Sequence, residues 1–518
     1  MEKIYPIDIA GIKNIGVEEW LENYYVPVTG KEYNNIYDKV FKSYMDIIKE
    51  YDNRIIYWIA ISNIRMPSYV SLYILELLKL IRLKENGYSC IIGQKKEEVP
   101  DSVSMVQYSI SKNEFLLKDI DELTSQKRSK NILRTVRYNI KPLFLHGVSF
   151  IRNISNLYFL VGNRYQQEVD TFCDENNIIP VCLPPTLFAK NNNRYVQDFK
   201  TSGLIEFISD YLDILKSQYT IIDDLAFECL KKKINEIFRL SYSFFCQNIE
   251  IFSKFEPGKL LISGLGNTIH RIFSSAWRHA GGEVIGISHG NTYSNHYSDK
   301  IIIELSAVDV FVSTSRGHKK LIRQALKDFC PELKNCKITY GKNNTYKSLY
   351  GRLQNVPPVN KIKKIMVVGA VLLKSYNPSD TEHHTFSLLY NDIQMVKTLK
   401  RAGYYTIYKP RPDTMHETCD IFEKYADDVL KEKLEDVYNN ADCLVFPSPY
   451  STAFGFSLLT NRPIVLLNVE GYHWHPRVFE LIKKRCSVVE AKTVDGKTVF
   501  DEQDVLGAVQ ESINNINY

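Results

Sequence analysis

Short apolar runs alternate with segments of helical periodicity along most of the chain. The clearest unit begins with the apolar run 259–263, passes a glycine turn, and continues with apolar residues at helical spacing between Ile269 and Trp277. A second glycine turn and a second apolar run, 283–287, complete it. Such runs are typical of strands buried in a parallel sheet, and a strand–helix–strand connection makes its two strands parallel.

The same alternation continues on both sides of this unit. Before it, we predict strands at 54–61, 88–93, 156–161 and 178–183, a helix at 69–83 and a mainly helical stretch at 203–255. After it, we predict strands at 307–313, 365–369, 405–409, 443–446 and 463–467, with helices between them, among them 451–460, and a final helix at 504–514. Alternating strands and helices predict the α/β class with parallel sheets.

A chain of 518 residues is too long for one ordinary core. The segment RLQNVPPVNKIKK contains two adjacent prolines among basic residues, which is typical of a linker. We therefore predict a Rossmann-like domain with helical insertions at 1–352, a linker at 353–364 and a second Rossmann-like domain at 365–500. A C-terminal helix at 501–518 is expected to pack back on the first domain. Two such domains have a cleft between their sheet edges.

Composition excludes several classes of protein. Apolar residues at 44% and charged residues at 24% describe a folded chain. The net charge of +5 permits weak binding to an anionic substrate or membrane surface, but it is far from that of a nucleic-acid-binding protein. The 10 scattered cysteines lack metal-ligand spacing and favour a reducing cytoplasm. The many tyrosines and phenylalanines indicate an A/T-rich coding bias more than an aromatic-lined site.

No apolar signal core stands at the N-terminus, and no apolar stretch is long enough to span a bilayer. The nearest, 69–83, is interrupted by Glu76, Lys79 and Arg82, so we expect a core helix there. The triplet Asp119-Ile-Asp121 has the form that holds a metal-bound diphosphate in some sugar transferases, but the residues after it favour a helix start. We predict no metal site.

Polar segments follow four of the predicted strands, at the edge where ligands of α/β folds bind. In chain order they contain Ser288, His289 and Gly290; Gly369; Lys409 and Arg411; and Ser451 and Thr452.

Two of these segments favour anion binding. The prolines next to Arg411 restrict its backbone, and a guanidinium is suited to forked binding of phosphate. Ser451 or Thr452 is expected to cap a helix whose free N–H groups attract an anion. Together they predict a nucleotide phosphate site in the second domain, with His289 in the first. A loop histidine, a tight turn, a solvated basic turn and simple capping are the structural alternatives.

The order of these segments resembles the GT-B-fold glycosyltransferases of bacterial surface polysaccharide assembly. It is most similar to O-antigen and capsule transferases related to 3-deoxy-octulosonic acid and sialic acid transferases. The matching residues lie within about 259–490: Ser288-His289-Gly290, Lys409-Pro410-Arg411-Pro412, Ser451-Thr452 and Asn461-Arg462-Pro463-Ile464. The chain departs from these relatives with Arg411 in place of a histidine, Gly455-Phe456 in place of a glutamate, and Ser288 in place of a glutamine.

The resemblance implies a metal-independent glycosyltransferase that needs no cofactor, with an acceptor-side first domain and a donor-side second domain. Its donor is a nucleotide-sugar, with a CMP-sugar favoured, and its acceptor is a surface polysaccharide or lipid-linked glycan. Gly290, Gly369, Lys409, Arg411, Ser451 and Thr452 are the implied donor-binding residues. His289 is the implied catalytic residue, and His270 or the early acids Asp8, Glu18 and Glu19 are candidates for the base.

A cytoplasmic protein at the inner face of the plasma membrane, with no nucleic-acid partner, is the implied setting. Three other functions remain open: a transferase of polyol phosphate from CDP-glycerol, a sugar-nucleotide epimerase, and an assembly subunit without activity.

Overall fold

The computed structural model describes most of the chain. The described residues are 3–6, 9–92, 95–97, 158–161, 166–182, 194–253, 257–263, 265–288, 301–329, 335–341, 345–369, 385–412, 415–449, 452–470, 472 and 474–516. The triplet Asp119-Ile-Asp121 lies outside them. Within the described residues, no helix is long and apolar enough to cross a membrane.

The described chain forms two compact α/β units. Unit one contains the described residues of 1–38, 71–113 and 346–518, and unit two contains those of 39–70 and 114–345. Among the described elements the α-helices are α1 Ile9–Ile15, α2 Val17–Asn23, α3 Gly30–Glu50, α4 Arg54–Ser62, α5 Met66–Glu85, α6 Gln166–Glu175, α7 Arg194–Lys200, α8 Leu204–Gln218, α9 Asp224–Phe252, α10 Thr268–His279, α11 Ile302–Leu305, α12 Arg316–Phe329, α13 Thr345–Leu353, α14 Thr385–Arg401, α15 Met415–Phe422, α16 Leu434–Val437, α17 Thr452–Ser457, α18 Pro476–Arg485 and α19 Glu502–Glu511. Two short 3₁₀ helices cover Tyr438–Asn440 and Ser512–Asn515.

The strands form three sheets. They are β1 Lys3–Pro6, β2 Tyr88–Ile92, β3 Lys95–Glu97, β4 Tyr158–Val161, β5 Val181–Cys182, β6 Lys259–Ser263, β7 Glu283–Ile287, β8 Val310–Ser313, β9 Lys337–Tyr340, β10 Lys364–Val368, β11 Tyr405–Lys409, β12 Asp428–Val429, β13 Cys443–Phe446, β14 Ile464–Val469, β15 Ser487–Val494 and β16 Lys497–Val499.

The large sheet of unit one has seven strands in the order β12-β11-β10-β13-β14-β15-β16. All neighbouring pairs are parallel except β15 and β16. Strands β11 and β12 are therefore added on one side of β10, and β13 to β16 are added on its other side. This is the strand order of a dinucleotide-binding Rossmann fold, with its switch point between β10 and β13.

Both faces of this sheet are covered. Ile365 and Val367 belong to one buried apolar cluster, and Met366 and Val368 belong to another. Successive side chains of a strand point to opposite faces, so an uninterrupted apolar run is what a sheet covered on both faces requires.

The sheet of unit two has six strands, all parallel, in the order β5-β4-β6-β7-β8-β9. Its switch point lies between β4 and β6, so the predicted strand–helix–strand unit 259–287 starts at that point. The two sheets confirm the predicted α/β class with two Rossmann-like parts. The predicted cleft between them stays a prediction.

One predicted strand is wrong. Residues 54–61 form helix α4, and the Asn53 side chain caps it by accepting hydrogen bonds from the backbone N–H groups of Ile55 and Ile56. The run is apolar on almost every position because the helix is buried on most of its surface. Periodicity alone cannot separate a buried helix from a buried strand in so short a run, and the cap decides it. Strand β2 consequently pairs with β1.

The division of the chain differs from the predicted domain boundaries at 352 and 365. The first 38 residues and the described residues 71–97 belong to the same unit as the chain from 346 onward. Ile12, Trp20 and Leu83 share a buried cluster with Ile365 and Val396. Helix α19 belongs to this unit too, and its Val505 and Val509 join the same cluster, which contains residues of both predicted domains. The expectation that it packs back on the domain 1–352 stays a prediction. These contacts join distant parts of the chain and leave no local sequence pattern.

Ile12→Ala tests whether the N-terminal segment is part of the core of unit one. Ile12 is fully buried, so the truncation should lower the free energy of unfolding by about 2–5 kcal/mol through lost burial and a cavity. Glu22→Ala on the exposed face of α2 is the control and should change it by less than about 0.5 kcal/mol. Equal stability of the two variants in thermal denaturation would show that the segment packs elsewhere.

Candidate functional site

The carboxyl ends of three neighbouring strands of unit one meet at one edge. Val368 of β10 is in register with Lys409 of β11, and Val367 pairs with Val445 of β13. Gly369 follows β10, Lys409 ends β11, and Thr452 begins α17 after β13. The structure thus places these three predicted residues, and Arg411 after them, at the switch-point edge. Ser451 lies outside the described residues.

A buried tyrosine fixes the backbone next to Gly369. The Gly369 N–H donates to the Lys409 carbonyl at 3.0 Å, and a Cβ at Gly369 would overlap the Tyr408 hydroxyl and lie 2.9 Å from its Cζ. The Tyr408 hydroxyl donates to Asp392 Oδ2 at 2.8 Å, and its ring stacks on Phe422. Burial, with Asp392 nearby, holds the pKa of Tyr408 well above its usual range, so the hydroxyl stays a donor. Close packing against Tyr408 is therefore sufficient reason for a glycine at 369.

Lys409 is a buried cation at this edge. Its side chain is 4% exposed, and its ammonium donates to the Pro410 carbonyl at 2.6 Å. Burial lowers the pKa of Lys409, while the more distant carboxylates of Glu435 and Glu432 act against that shift. Among the described residues no carboxylate pairs with the ammonium, which has two further N–H donors. A buried charge is costly until it is paired, so an anion at this edge would be stabilised.

Arg411 and helix α17 are the other two predicted anion-binding groups, and both are weaker than the sequence predicted. Arg411 is half-buried beyond Pro410. Helix α17 is six residues long rather than the ten predicted at 451–460, so its dipole is short. Arg485 binds backbone carbonyls in the segment after the helix, donating to Leu458, Thr460 and Arg462.

In the motif Asn461-Arg462-Pro463-Ile464, the first two side chains donate hydrogen bonds to backbone carbonyl groups. Asn461 donates through its amide nitrogen to the Val356 carbonyl, and Arg462 donates to the Pro357 carbonyl at 3.1 Å. In the structure these two residues fasten the proline-containing segment before β10.

Unit two has a corresponding edge. His270 is the third residue of α10, the helix after the switch-point strand β6, and it is half-buried. Ser288 is buried after β7 and donates its backbone N–H to the Val312 carbonyl at 3.0 Å. His289 and Gly290 lie outside the described residues, as does Asp8.

His318 is a buried titratable residue that sequence analysis missed at this edge. It lies in the first turn of α12, just after β8. His318 Nδ1 lies 3.0 Å from the Thr314 hydroxyl oxygen and 3.4 Å from the Thr314 backbone nitrogen. Burial lowers the pKa of His318 to about 4, so the ring is neutral near pH 7. Its position after a strand is the same signal that singled out Lys409.

Glu304 is a second buried titratable group of unit two. It is 4% exposed on the short helix α11, and burial raises its pKa to about 8. The carboxyl group is therefore mostly protonated at neutral pH and is able to donate a hydrogen bond.

The other early acids predicted as candidate bases have separate environments. Glu18 pairs with Lys397 at 2.8 Å, and this contact contributes to a lowered pKa of Glu18. Glu19 is exposed and lines a pocket of unit one. Over the described parts of the chain, no group of His, Cys, Asp and Glu side chains is arranged to hold a metal ion.

Comparison with known proteins gives a distant structural likeness. A scan of protein-family models finds no match, and neither does a search of curated proteins. Among solved structures the chain is similar to UDP-GlcNAc 2-epimerase of Methanocaldococcus jannaschii, crystallised with UDP-GlcNAc and UDP. The TM-score is 0.35 at 10% identity, over 69% of this chain and 92% of that chain. The α/β class rests on the two sheets themselves.

Gly369→Ala tests the packing at the switch point. The added methyl group must displace the buried Tyr408 ring or the β10 end, and we expect a loss of about 1–3 kcal/mol in the free energy of unfolding. Gly351→Ala in helix α13 is the matched control, since a Cβ there meets nothing within 4 Å and the change should be neutral or slightly stabilising. Two variants of equal melting temperature would contradict the described contact.

The buried neutral imidazole predicts an acid-dependent loss of stability. His318 has a lower pKa when folded than when unfolded, so the unfolded chain binds a proton first as the pH falls below about 6.5. As the pH is lowered from there to about 4, the titration of His318 should reduce the free energy of unfolding by roughly 3 kcal/mol. Chemical denaturation at pH 7 and pH 4.5 should show a smaller acid-induced loss in His318→Gln than in the parent, which shares every other titrating group. The same loss in both would contradict a buried neutral His318.

Proposed function

We propose that the chain is a nucleotide-sugar-dependent glycosyltransferase whose donor phosphates bind at the carboxyl edge of the seven-stranded sheet. The observation that carries the proposal is the buried ammonium of Lys409, which has no described carboxylate partner, on the strand next to a Rossmann switch point. A nucleotide diphosphate or monophosphate supplies the missing negative charge.

Phosphate recognition divides between two cations. Lys409 acts as a buried point charge with two remaining donors, and Arg411 adds a planar guanidinium at the mouth of the same edge. Thr452 adds the first N–H groups of α17, a minor contribution from so short a helix. Gly369 allows the end of β10 to pack against Tyr408, next to the proposed phosphate position.

The same groups that bind the phosphate favour departure of the nucleotide. When the bond between sugar and phosphate breaks, negative charge grows on the leaving phosphate oxygen. Fixed cations in a site of low polarity stabilise that charge without reorganising, and this lowers the barrier to transfer. The proposed reaction therefore needs no metal ion as a matter of charge balance.

The finer assignments follow from the resemblance and from unit two. A surface polysaccharide or lipid-linked glycan is the proposed acceptor, and a CMP-sugar is the favoured donor. His289 is the proposed catalytic residue, with His270 as the second candidate because it begins the helix after the switch-point strand β6. Activity at the inner face of the plasma membrane belongs to the same proposal.

Thermal shifts with CMP, CDP, UDP and GDP test the proposal. A nucleotide that binds only the folded chain raises the melting temperature, and at a hundred times its Kd it adds about 2.7 kcal/mol of stability. We expect the largest shift with CMP and its loss in Lys409→Met and in Arg411→Ala. Lys363→Ala, which removes an exposed cation at the amino end of β10, should keep the full shift.

The identity of the nucleotide separates the functions. A shift with CDP in place of CMP would favour transfer of a polyol phosphate, and a shift with UDP an epimerase or a different transferase. A shift with none of them, or one that survives in both Lys409→Met and Arg411→Ala, would overturn the proposed site. His289→Ala should keep the nucleotide shift and lose turnover.

A further inference from the structure

A pocket near the N-terminus of unit one is lined by aromatic rings. Its volume is about 180 Å³, which is the size of one sugar ring rather than of a nucleotide. Five aromatic residues line it: Tyr5, Trp20, Tyr24, Tyr25 and Tyr88. They come from β1, from the region of α2 and from β2, so segments distant in sequence build the pocket together.

The rings are held in place by packing behind the pocket. The ring centroids of Trp20 and Tyr24 lie 4.9 Å apart, and the Tyr24 ring stacks on Tyr390 of α14. The Tyr24 hydroxyl lies 3.1 Å from Ser387 Oγ. Tyr25 stacks on Tyr88 with centroids 5.0 Å apart. Ring faces held by this packing lose little conformational entropy when a ligand binds.

The polar groups of the pocket have unused hydrogen-bonding capacity. Among the described residues, none pairs with the Glu19 carboxylate, accepts from the Trp20 indole N–H or bonds the Tyr88 hydroxyl. Asn23 uses its amide N–H on the Glu19 carbonyl, which leaves its side-chain oxygen as an acceptor. These polar residues line the pocket together with the aromatic residues, and such a mixed lining suits a ligand that has both apolar and hydroxyl surfaces.

Charge selects among the ligands that favour aromatic rings. Lys3 lies 5.5 Å from the centre of the Tyr88 ring, and Glu19 lines the same pocket, so the two charges cancel. A quaternary ammonium would meet the Lys3 ammonium, and a phosphate would meet the Glu19 carboxylate. A neutral polyhydroxylated ring avoids both costs. Its C–H bonds carry partial positive charge and suit the negative ring faces, while its hydroxyls reach Glu19 and Asn23.

We propose that this pocket binds a neutral sugar ring of a glycan, at a site separate from the nucleotide phosphates. Sugar binding here does not depend on the proposed function. If that function also holds, the pocket is an anchoring site for the acceptor glycan on the same unit that binds the donor.

Saturation-transfer NMR on the full-length protein tests the pocket with glucose, galactose and N-acetylglucosamine as probes, and with choline and inorganic phosphate as comparison ligands. We expect at least one sugar to bind with a Kd on the order of 1 mM, a normal affinity for a ligand of this size. Glu19→Ala should weaken it roughly tenfold, since a hydrogen bond to a charged group is lost. Glu22→Ala, an exposed acid of the same helix outside the pocket, should leave the affinity unchanged.

Two further measurements separate this site from others. Tyr88→Leu keeps apolar volume at a half-buried position but removes a ring face, so it should abolish sugar binding while the melting temperature stays close to that of the parent. A saturating nucleotide should leave the sugar signal in place. No sugar signal, equal affinity in Glu19→Ala, displacement by nucleotide, or binding of choline alone would each overturn the proposal. The nucleotide site is tested separately, by the thermal shift and its loss in Lys409→Met and Arg411→Ala without sugar, so the two proposals can fail separately.

Discussion

The reversal of strand order at β10 is the constraint on which the site of unit one depends. Because β10 pairs in parallel with both β11 and β13, three carboxyl ends are brought to one edge, and the helices that follow leave in different directions. Backbone groups and side chains at that edge are then available to a ligand. The Tyr408–Asp392 hydrogen bond and the stacking on Phe422 anchor β11 from beneath, and this anchoring places Lys409 at the edge with its ammonium buried.

Several strands were predicted from sequence with their observed bounds, among them Lys259–Ser263, Tyr405–Lys409 and Cys443–Phe446. Each is mostly apolar because it is covered on both faces, and a turn or polar residue marks each end. The same signal misassigned 54–61, since a helix buried on most sides has no polar stripe. Residues 1–38 could not be assigned to unit one, because their packing on α14 joins parts of the chain more than 340 residues apart.

The candidate site was predictable in position and less so in chemistry. Residues after predicted strands did reach the edge, as Gly369 and Lys409 show. The surroundings of these residues could not be predicted from the sequence. Tyr408 contacts Gly369 from the neighbouring strand. The burial that lowers the pKa of Lys409 arises from the whole fold. The tyrosine-rich composition was attributed to coding bias, yet five aromatic rings from three segments line one pocket. Composition counts rings and cannot show that folding brings them together.

A crystal structure with the nucleotide that gives the largest thermal shift tests the central claim most directly. The account predicts a phosphate within hydrogen-bonding distance of Lys409 Nζ, at the carboxyl ends of β10, β11 and β13, with the Arg411 guanidinium at its outer side. A nucleotide bound at the amino edge of that sheet, or in unit two with Lys409 Nζ still donating only to the Pro410 carbonyl, would contradict it.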